Sequence, residues 1–327
     1  MNADTGASRT LPLPAPAGGA SDRAMVRMGD SLLLNRGDTA WLYRADLLGA
    51  PMDLGPSLRI IPGPSNHEVW LWWDPCAVAP AHAPGCSSAE SDYGQGQVRL
   101  VDFSGRQIGR PIALPLGAAP GGKSCAGWFP TGDVIDGGIV LSNAYGPPNE
   151  EVWDPTSNRV ILVLPDANVL TSAGQLIAWV TNGPCLPSCT VHLTNVPTGI
   201  TGNLKLPAGA VAIDEAAFSP DGTTLAIPVG LGGAWPARHP TALVLIDLGT
   251  RKVSLLSGSE QTPSPNFGSF NATWSSSGWL FYTAYGSTRV FAWHPGAKRA
   301  VVLSGITLPR LPPPGAQGQQ LPSLIAL

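Results

Sequence analysis

Two apolar strands joined by a tight turn are predicted by the segment Ala217-Phe-Ser-Pro-Asp-Gly-Thr-Thr-Leu-Ala-Ile227. Pro220 fixes φ at the first corner of this turn, and Gly222 supplies the positive φ that closes it. A further apolar strand, Leu243-Val-Leu-Ile-Asp247, follows and ends in an aspartate. The segment therefore predicts consecutive strands of an antiparallel sheet.

The strand that ends in a polar residue recurs along the chain. Its six copies are Trp41-Leu-Tyr-Arg-Ala-Asp46, Val98-Arg-Leu-Val-Asp102, Glu151-Val-Trp-Asp154, Val191-His-Leu-Thr-Asn195, Leu243-Val-Leu-Ile-Asp247 and Val290-Phe-Ala-Trp-His294. They follow one another at intervals of about 50 residues, which is the length of one four-stranded blade of a β-propeller. Each copy is interpreted as the third strand of its blade.

A second strand precedes each copy. We place these strands at residues 31–35, 69–73, 138–142, 176–180, 224–228 and 279–283. The sequence thus predicts an all-β fold, a six-bladed β-propeller of four-stranded antiparallel blades. The alternatives are seven blades, one of them incomplete and built from both termini, and a β-sandwich whose spacing is coincidental.

Residues 217–227, followed by residues 243–251, resemble the WD-repeat-like blades of TolB-type β-propellers. The resemblance is clearest over residues 212–256 and weaker in the other blades. It implies a propeller that binds other proteins, and it brings no catalytic residues with it. We expect residues 1–22 to be a flexible linker rich in Pro, Ala and Gly, and residues 23–327 to be a single propeller domain with 304–327 as its closing tail.

Composition limits the classes of function. The 39 glycines and 34 prolines among 327 residues exclude long helices. A net charge of −3 and a pI near 5.9 leave no basic surface for nucleic acid. A mean hydropathy of +0.10 without a long apolar run predicts no membrane span in this chain, although an N-terminal signal or anchor could have been removed.

The predicted connections differ between the two edges of the blades. Short turns join the third strand to the fourth, whereas long connections leave the opposite edge, at residues 74–97, 116–126, 143–150, 181–189, 230–240, 258–271 and 284–287. Binding residues usually lie on long loops held by a rigid scaffold. We therefore predict that the loop-rich face binds a protein, peptide or glycan through aromatic and basic residues: Trp235, Arg238, His239, Tyr93, Tyr145 and Tyr285.

All five cysteines fall in the same long connections. We predict one disulfide between Cys185 and Cys189 and a second most simply between Cys76 and Cys86, with Cys125 competing for that second bridge. Disulfides would place the protein outside the cytoplasm, secreted or surface-anchored; a cytoplasmic location is the alternative. The abundance of Ala, Gly and Pro and the small number of Lys are typical of bacterial genes rich in GC. A zinc site made by the Cys185 and Cys189 pair with His192 is the less favoured interpretation, so we predict no metal.

Three further motifs are set aside. Gly117-Ala-Ala-Pro-Gly-Gly-Lys-Ser124 matches a phosphate-binding loop, but the residues that follow it cannot form the necessary helix. Arg36-Gly-Asp38 is interpreted as a hairpin turn. Glu150 and Glu151 are adjacent in a strand and point to opposite faces, so a dyad that shares a proton is not expected.

Two classes of function remain after these exclusions. We favour a non-catalytic binding module without a cofactor. The alternative is a secreted propeller enzyme, such as a lyase, lactonase or glycan hydrolase, with its site at the mouth of the central channel. A cluster of carboxylates and histidines on the first strands would favour the enzyme, and Asp214 with Glu215 is the only acidic pair that we find there. Most of the 11 tryptophans are predicted to fill the core between blades.

Overall fold

In the computed structural model the chain folds into β-strands and turns, and the described residues contain no helix. The structure describes residues 22–44, 49–74, 96–115, 117–118, 124–125, 128–143, 150–182, 189–212, 216–232, 241–260, 271–283 and 289–303. No segment within these ranges forms a helix that could span a bilayer.

The segment Leu11–Ala167 forms one compact unit that holds three four-stranded antiparallel sheets. Its strands are β1 (Asp22–Met28), β2 (Ser31–Arg36), β3 (Thr39–Arg44) and β4 (Met52–Pro56) in the first blade, β5 (Arg59–Pro62), β6 (Glu68–Trp73), β7 (Gln97–Asp102) and β8 (Gln107–Ala113) in the second, β9 (Gly117–Ala118) and β10 (Ser124–Cys125) in a separate ladder, and β11 (Trp128–Ile135), β12 (Gly138–Asn143), β13 (Glu150–Asp154) and β14 (Arg159–Leu164) in the third.

The chain from Asn168 onward belongs to a second compact unit with three further sheets. Its strands are β15 (Ala167–Ala173), β16 (Leu176–Thr181), β17 (Thr190–Asn195) and β18 (Ile200–Lys205) in the fourth blade, β19 (Ala210–Ala212), β20 (Ala217–Phe218), β21 (Thr224–Leu231), β22 (Thr241–Asp247) and β23 (Lys252–Leu255) in the fifth, and β24 (Asn271–Trp274), β25 (Leu280–Thr283), β26 (Phe291–Trp293) and β27 (Val301–Val302) in the sixth. Six consecutive sheets of this kind are the blades of a six-bladed β-propeller, as predicted.

The predicted strands coincide with strands of the structure. Every second strand and every third strand that the sequence predicts overlaps a strand of the corresponding blade. The first strand of the fifth blade differs from the rest, because it is divided into β19 and β20, which both pair with β21.

The predicted turn of the fifth blade has the expected geometry. Gly222 has φ of +68°, and its N–H donates to the Ser219 carbonyl over 2.8 Å. The Ser219 hydroxyl also accepts the Thr224 N–H at 2.8 Å and donates to Asp221. The sixth blade repeats this turn with Gly278 at φ +82° and a bond from the Gly278 N–H to the Ser275 carbonyl. Both turns therefore depend on a serine and a glycine.

The polar residue at the end of the third strand closes the turn to the fourth strand. The Asp102 carboxylate accepts the N–H groups of Ser104 and Arg106 at 2.9 and 3.0 Å. Asp154, Asn195 and Asp247 accept backbone N–H groups in the same way, from Thr156, Thr198 and Thr250. The Ser104 hydroxyl also donates to the Asp102 carboxylate, and this bond, together with the backbone N–H bonds, lowers the pKa of Asp102 to about 2. The recurring Asp or Asn is thus a turn-forming residue.

The core consists of apolar layers between adjacent sheets. Trp70, Trp72, Trp128 and Trp153 are buried in one layer between the second and third blades. In the second unit, Trp293 is buried in a layer that joins the fifth and sixth blades. The prediction that tryptophans fill the space between blades holds for these five residues.

Two of the motifs set aside above lie in simple hairpins. Gly117 and Ala118 pair with Cys125 and Ser124 in the β9–β10 ladder, so the glycine-rich stretch leads into a strand instead of a helix. Gly37 and Asp38 form the turn between β2 and β3, with φ of +57° at Gly37. Ser124 and Cys125 form a strand where a phosphate-binding loop requires the start of a helix.

Candidate functional site

The predicted contact residues Trp235, Arg238, His239, Tyr93, Tyr145 and Tyr285 lie outside the described residues. So does the acidic pair Asp214 and Glu215. The structure does describe the strand ends that flank the long connections. In the second and third blades these ends carry polar side chains that are buried, and they form the candidate site.

The buried polar residues of this site flank two long connections. Asp74 follows β6 and is completely buried, and Gly96 precedes β7 at the other end of the same connection. Glu150 and Glu151 begin β13, and each is only 5% exposed. Buried carboxyl groups are rare in protein cores unless they have a structural or functional role, so this edge differs from an ordinary sheet end.

Two rows of side chains face each other between the second and third blades. In the second blade, Arg59 pairs with Trp72 and Trp72 pairs with Val98, which places their side chains on one face of the sheet. Arg59 Nη1 donates to the Pro130 carbonyl at 3.0 Å and to the Thr131 carbonyl, across the gap between the sheets.

The facing row of the third blade contains Pro130, Leu141 and Glu151. Pro130 pairs with Leu141, and Leu141 pairs with Glu151, so these residues share one face. Leu141 packs in the same apolar layer as Trp72. Glu151 therefore projects into the gap between the blades, beside the row that contains Trp72.

The Oε1 atom of Glu151 is buried, and no residue that the structure describes donates a hydrogen bond to it. Burial raises the pKa of this carboxyl group from 4.5 to about 7, since loss of solvent disfavours the charged form. The side chain consequently changes its charge near neutral pH. A carboxyl group of this kind can accept a hydrogen bond when ionised and donate one when protonated.

Trp72 supplies the complementary polar atom. Its Nε1 is buried, and the described residues provide no acceptor for it. Gly96 lies directly in front of this atom, because a Cβ at position 96 would come within 2.5 Å of Trp72 Nε1. The chain at Gly96 thus packs tightly against the indole, and a larger residue at this position would clash with Trp72.

The sequence analysis missed Glu151 as a site residue. The structure agrees that Glu150 and Glu151 alternate in direction along β13, because they pair with Ser142 and Leu141. Both faces of this sheet are covered, however, so both carboxyl groups are buried. The sequence did contain a signal. Glu151 lies two residues before Trp153 in a strand, so the two side chains share the face that carries this core tryptophan.

His192 is held by its neighbours in the fourth blade. Its ring stacks on Trp179 with centroids 4.1 Å apart, and its Nδ1 lies 2.8 Å from Asn203 Oδ1. The described residues contain no group of three His, Cys, Asp or Glu side chains placed to bind a metal ion. The position of His192 gives no support to the zinc interpretation.

Cys189 is the one cysteine whose side chain lies among the described residues, and it is completely buried. Cys76, Cys86 and Cys185 lie outside the described residues, and only the backbone of Cys125 is described. The pairs Cys185 with Cys189 and Cys76 with Cys86 therefore stay predictions.

Comparison with known proteins identifies the fold. No family model and no curated protein matches the chain. The propeller domain of the Trilobed protease from Pyrococcus furiosus is similar over 86% of this chain and 82% of its own, with a TM-score of 0.54 and 9% identity. Hydrazine synthase of Kuenenia stuttgartiensis is similar over 82% of this chain and 74% of its own, with a TM-score of 0.52 and 12% identity.

A third similar structure is a complex of KlAtg21 with the coiled coil of AgAtg16. It covers 87% of this chain and 83% of its own, with a TM-score of 0.51 and 11% identity. At identities this low the similarity concerns the β-propeller fold alone, which confirms the predicted fold class.

Proposed function

We propose that this chain is a non-catalytic binding propeller whose loop-rich face holds a protein, peptide or glycan partner. The observation that carries the proposal is the contrast between the two edges of the blades. At one edge, short turns are closed by Asp102, Asp154, Asn195 and Asp247. At the other, the long connections leave from buried polar residues of the second and third blades. Rigid frames with long loops at one edge are typical of binding proteins.

The similar structures are compatible with this proposal. One of them, KlAtg21, is in complex with a coiled coil, which shows that a propeller of this size can hold a protein partner. The resemblance of residues 212–256 to TolB-type blades supports the same role. The assignment of this chain to the TolB-type family is part of the proposal.

A binding experiment with loop variants tests the proposal. The wild-type protein is screened against a random peptide library and a glycan array, and the retained binders are measured with Trp235→Ala and Tyr285→Ala. We expect a loss of about tenfold or more, because exposed aromatic residues dominate interfaces. Thr156→Ala at the opposite edge is the matched control and should bind as wild type. Equal binding by all variants, or no binder at all, would contradict the proposal.

We also propose an extracytoplasmic location, supported by the disulfides that the sequence predicts among its five cysteines. Mass spectrometry of the protein alkylated without reductant tests it. Two disulfides leave one of the five cysteines free, so we expect a single modified cysteine. Modification of all five would indicate an intracellular protein with free thiols and would overturn this location.

An enzyme remains the second candidate function, and one observation favours it. The pKa of Glu151, about 7, is in the range that suits a general acid or base at neutral pH. Hydrolysis of chromogenic lactones and glycosides by the wild-type protein, and its loss in Glu151→Gln, would favour this alternative over the binding module.

A further inference from the structure

The outer strand of the third blade, β14, has an exposed apolar edge. Val160, Ile161 and Val163 are between 41% and 47% exposed. No strand within the described ranges pairs with β14 on the side away from β13. An outer strand offers its backbone N–H and C=O groups to any other strand that approaches it, and proteins usually protect such edges with proline, lysine, bulges or a short length.

The outer strands of the other five blades carry such protection. β4 ends at Pro56, and β8 contains Arg110 and Pro111. β18 ends at Lys205, β23 begins at Lys252, and β27 is only two residues long. β14 has the sequence Arg-Val-Ile-Leu-Val-Leu, with neither proline nor lysine over six residues. The edge of the third blade therefore invites the strand pairing that the other edges prevent.

Apolar side chains lie on both faces of this edge. Val163 lies on the face that carries Glu151, with which it pairs. Ile161 lies on the opposite face with Val152, since the side chains of both reach the position that a Cβ of Gly138 would take. A strand added to β14 would thus cover apolar groups on both sides of the extended sheet.

The charges at the two ends of β14 select the strand that it accepts. Arg159 is the first residue of the strand, and Asp166 lies in the exposed turn just beyond its last residue. A second β14 that runs antiparallel brings Arg159 of each copy beside Asp166 of the other copy, because opposite ends meet. A parallel second β14 would place like charges together at both ends. The edge is therefore complementary to itself in the antiparallel direction.

We propose that this chain forms a two-fold symmetric dimer in which the β14 strands of two copies pair antiparallel and join the two third blades into one continuous sheet. A β-bulge interrupts the pairing with β13 near Ile161, but Leu162, Val163 and Leu164 pair with β13 in unbroken register. This regular part of the strand forms the centre of the new ladder, with Val163 opposite Val163 of the second copy. The dimer uses none of the residues predicted for the loop-rich face, so the proposal goes beyond the binding function.

Sedimentation velocity of the full chain tests the dimer. One strand pair is a small interface, so wild type should change from monomer to dimer between about 1 and about 300 µM, where weak contacts dissociate. Val163→Lys places two lysines opposite each other at the centre of the ladder, and this variant should stay monomeric throughout. Gln107→Lys, on the outer strand β8, is the matched control and should dimerise as wild type does.

Charge reversal tests the direction of pairing. Arg159→Glu and Asp166→Lys each place like charges at both ends of the strand pair, and each should weaken the dimer by about tenfold. The two changes together restore opposite charges and should restore the dimer. Both residues are exposed, and thermal unfolding of each variant shows whether it is folded.

The outcomes decide between a second copy and other occupants of this edge. A wild-type protein that stays monomeric over the whole concentration range would overturn the proposal, even if a library peptide protects the β14 amides from hydrogen exchange. A dimer that survives Val163→Lys, or that Gln107→Lys weakens equally, would also overturn it. Failure of the double reversal to restore the dimer would overturn the antiparallel pairing. Trp235→Ala should leave the dimer intact, so the binding function and the dimer are tested separately.

Discussion

Glu151 lies in an apolar gap between two sheets, and this position controls its protonation. Its neighbours in the row are Pro130 and Leu141, neither of which can stabilise a negative charge. Because the carboxyl group is buried away from solvent, its pKa is raised to about 7. The folded protein therefore binds a proton more tightly than the unfolded chain, in which the pKa is close to 4.5.

Glu151→Gln should change how stability depends on pH. Because the pKa is raised on folding, the wild-type protein has its full stability below about pH 4.5 and loses part of it as the pH rises through about 7. Glutamine does not titrate, so position 151 of the variant contributes no loss of unfolding free energy in this pH range. We expect the variant to match wild type near pH 4 and to exceed it by about 1–2 kcal/mol near pH 8, measured by urea unfolding. Parallel curves for the two proteins would contradict the assignment.

Gly222 should tolerate alanine poorly although there is space for a side chain. Its φ is +68°, and a Cβ there would meet no atom within 4 Å. The effect of Gly222→Ala is therefore a backbone effect, a destabilisation of about 1 kcal/mol. Gly249→Ala, in another turn of the same blade, is the control, because its Cβ would make an ordinary contact at 3.5 Å to Asp247. Similar losses for both variants in urea unfolding would disprove the φ argument.

Among the elements, the strands could be predicted and the site could not. Each second and third strand is an apolar run bounded by turn residues, and this local pattern is visible in the sequence. The contacts between blades are not local. Arg59 binds the carbonyl of Pro130, which is 71 residues away, and backbone carbonyls leave no signature in the sequence. Because side chains alternate along a strand, the sequence predicts on which face of the sheet Glu151 lies. The residues around it depend on how the blades pack and could not be predicted.

Arg59 connects the first strands of the second and third blades, so its loss should destabilise the protein. Arg59→Met removes both bonds to the carbonyls of Pro130 and Thr131. We expect a loss of about 1–3 kcal/mol in urea unfolding, since the carbonyls are left without this donor. Arg106→Met is the control: its side chain is 78% exposed and pairs with Asp102 at the surface, so little change is expected. An Arg59→Met protein as stable as wild type would refute the connecting role.

The outer strand β14 presents an unusual surface for an edge strand. Val160, Ile161 and Val163 are 41%, 44% and 47% exposed. Exposed apolar edge strands promote association between chains, and lysine on such an edge prevents it. Ile161→Lys should therefore reduce light scattering at high protein concentration without lowering the melting temperature. Gln107→Lys, on the outer strand β8, adds a charge at an exposed polar position and is the control for added charge alone, and an equal reduction there would argue against a special role of β14.

At the scale of the whole molecule, six successive sheets follow from one local rule. Each strand turns back on the previous one, and the residues that close the turns are Asp, Asn, Ser and Gly. The number of blades was predictable because this rule repeats at a fixed interval. The contact residues of the loop-rich face were chosen by composition alone, and they stay predictions because they lie outside the described residues.

The hairpin connectivity also has a kinetic consequence. Nearly all strand pairs join neighbours in sequence, so most pairing contacts close short loops and form early. The bond from Arg59 to Pro130 spans 71 residues and belongs to a later step, when finished sheets dock. In stopped-flow experiments Arg59→Met should therefore accelerate unfolding, whereas Gly222→Ala should mainly slow refolding. We therefore expect the hairpins of each blade to form first and the contacts between blades to form afterwards.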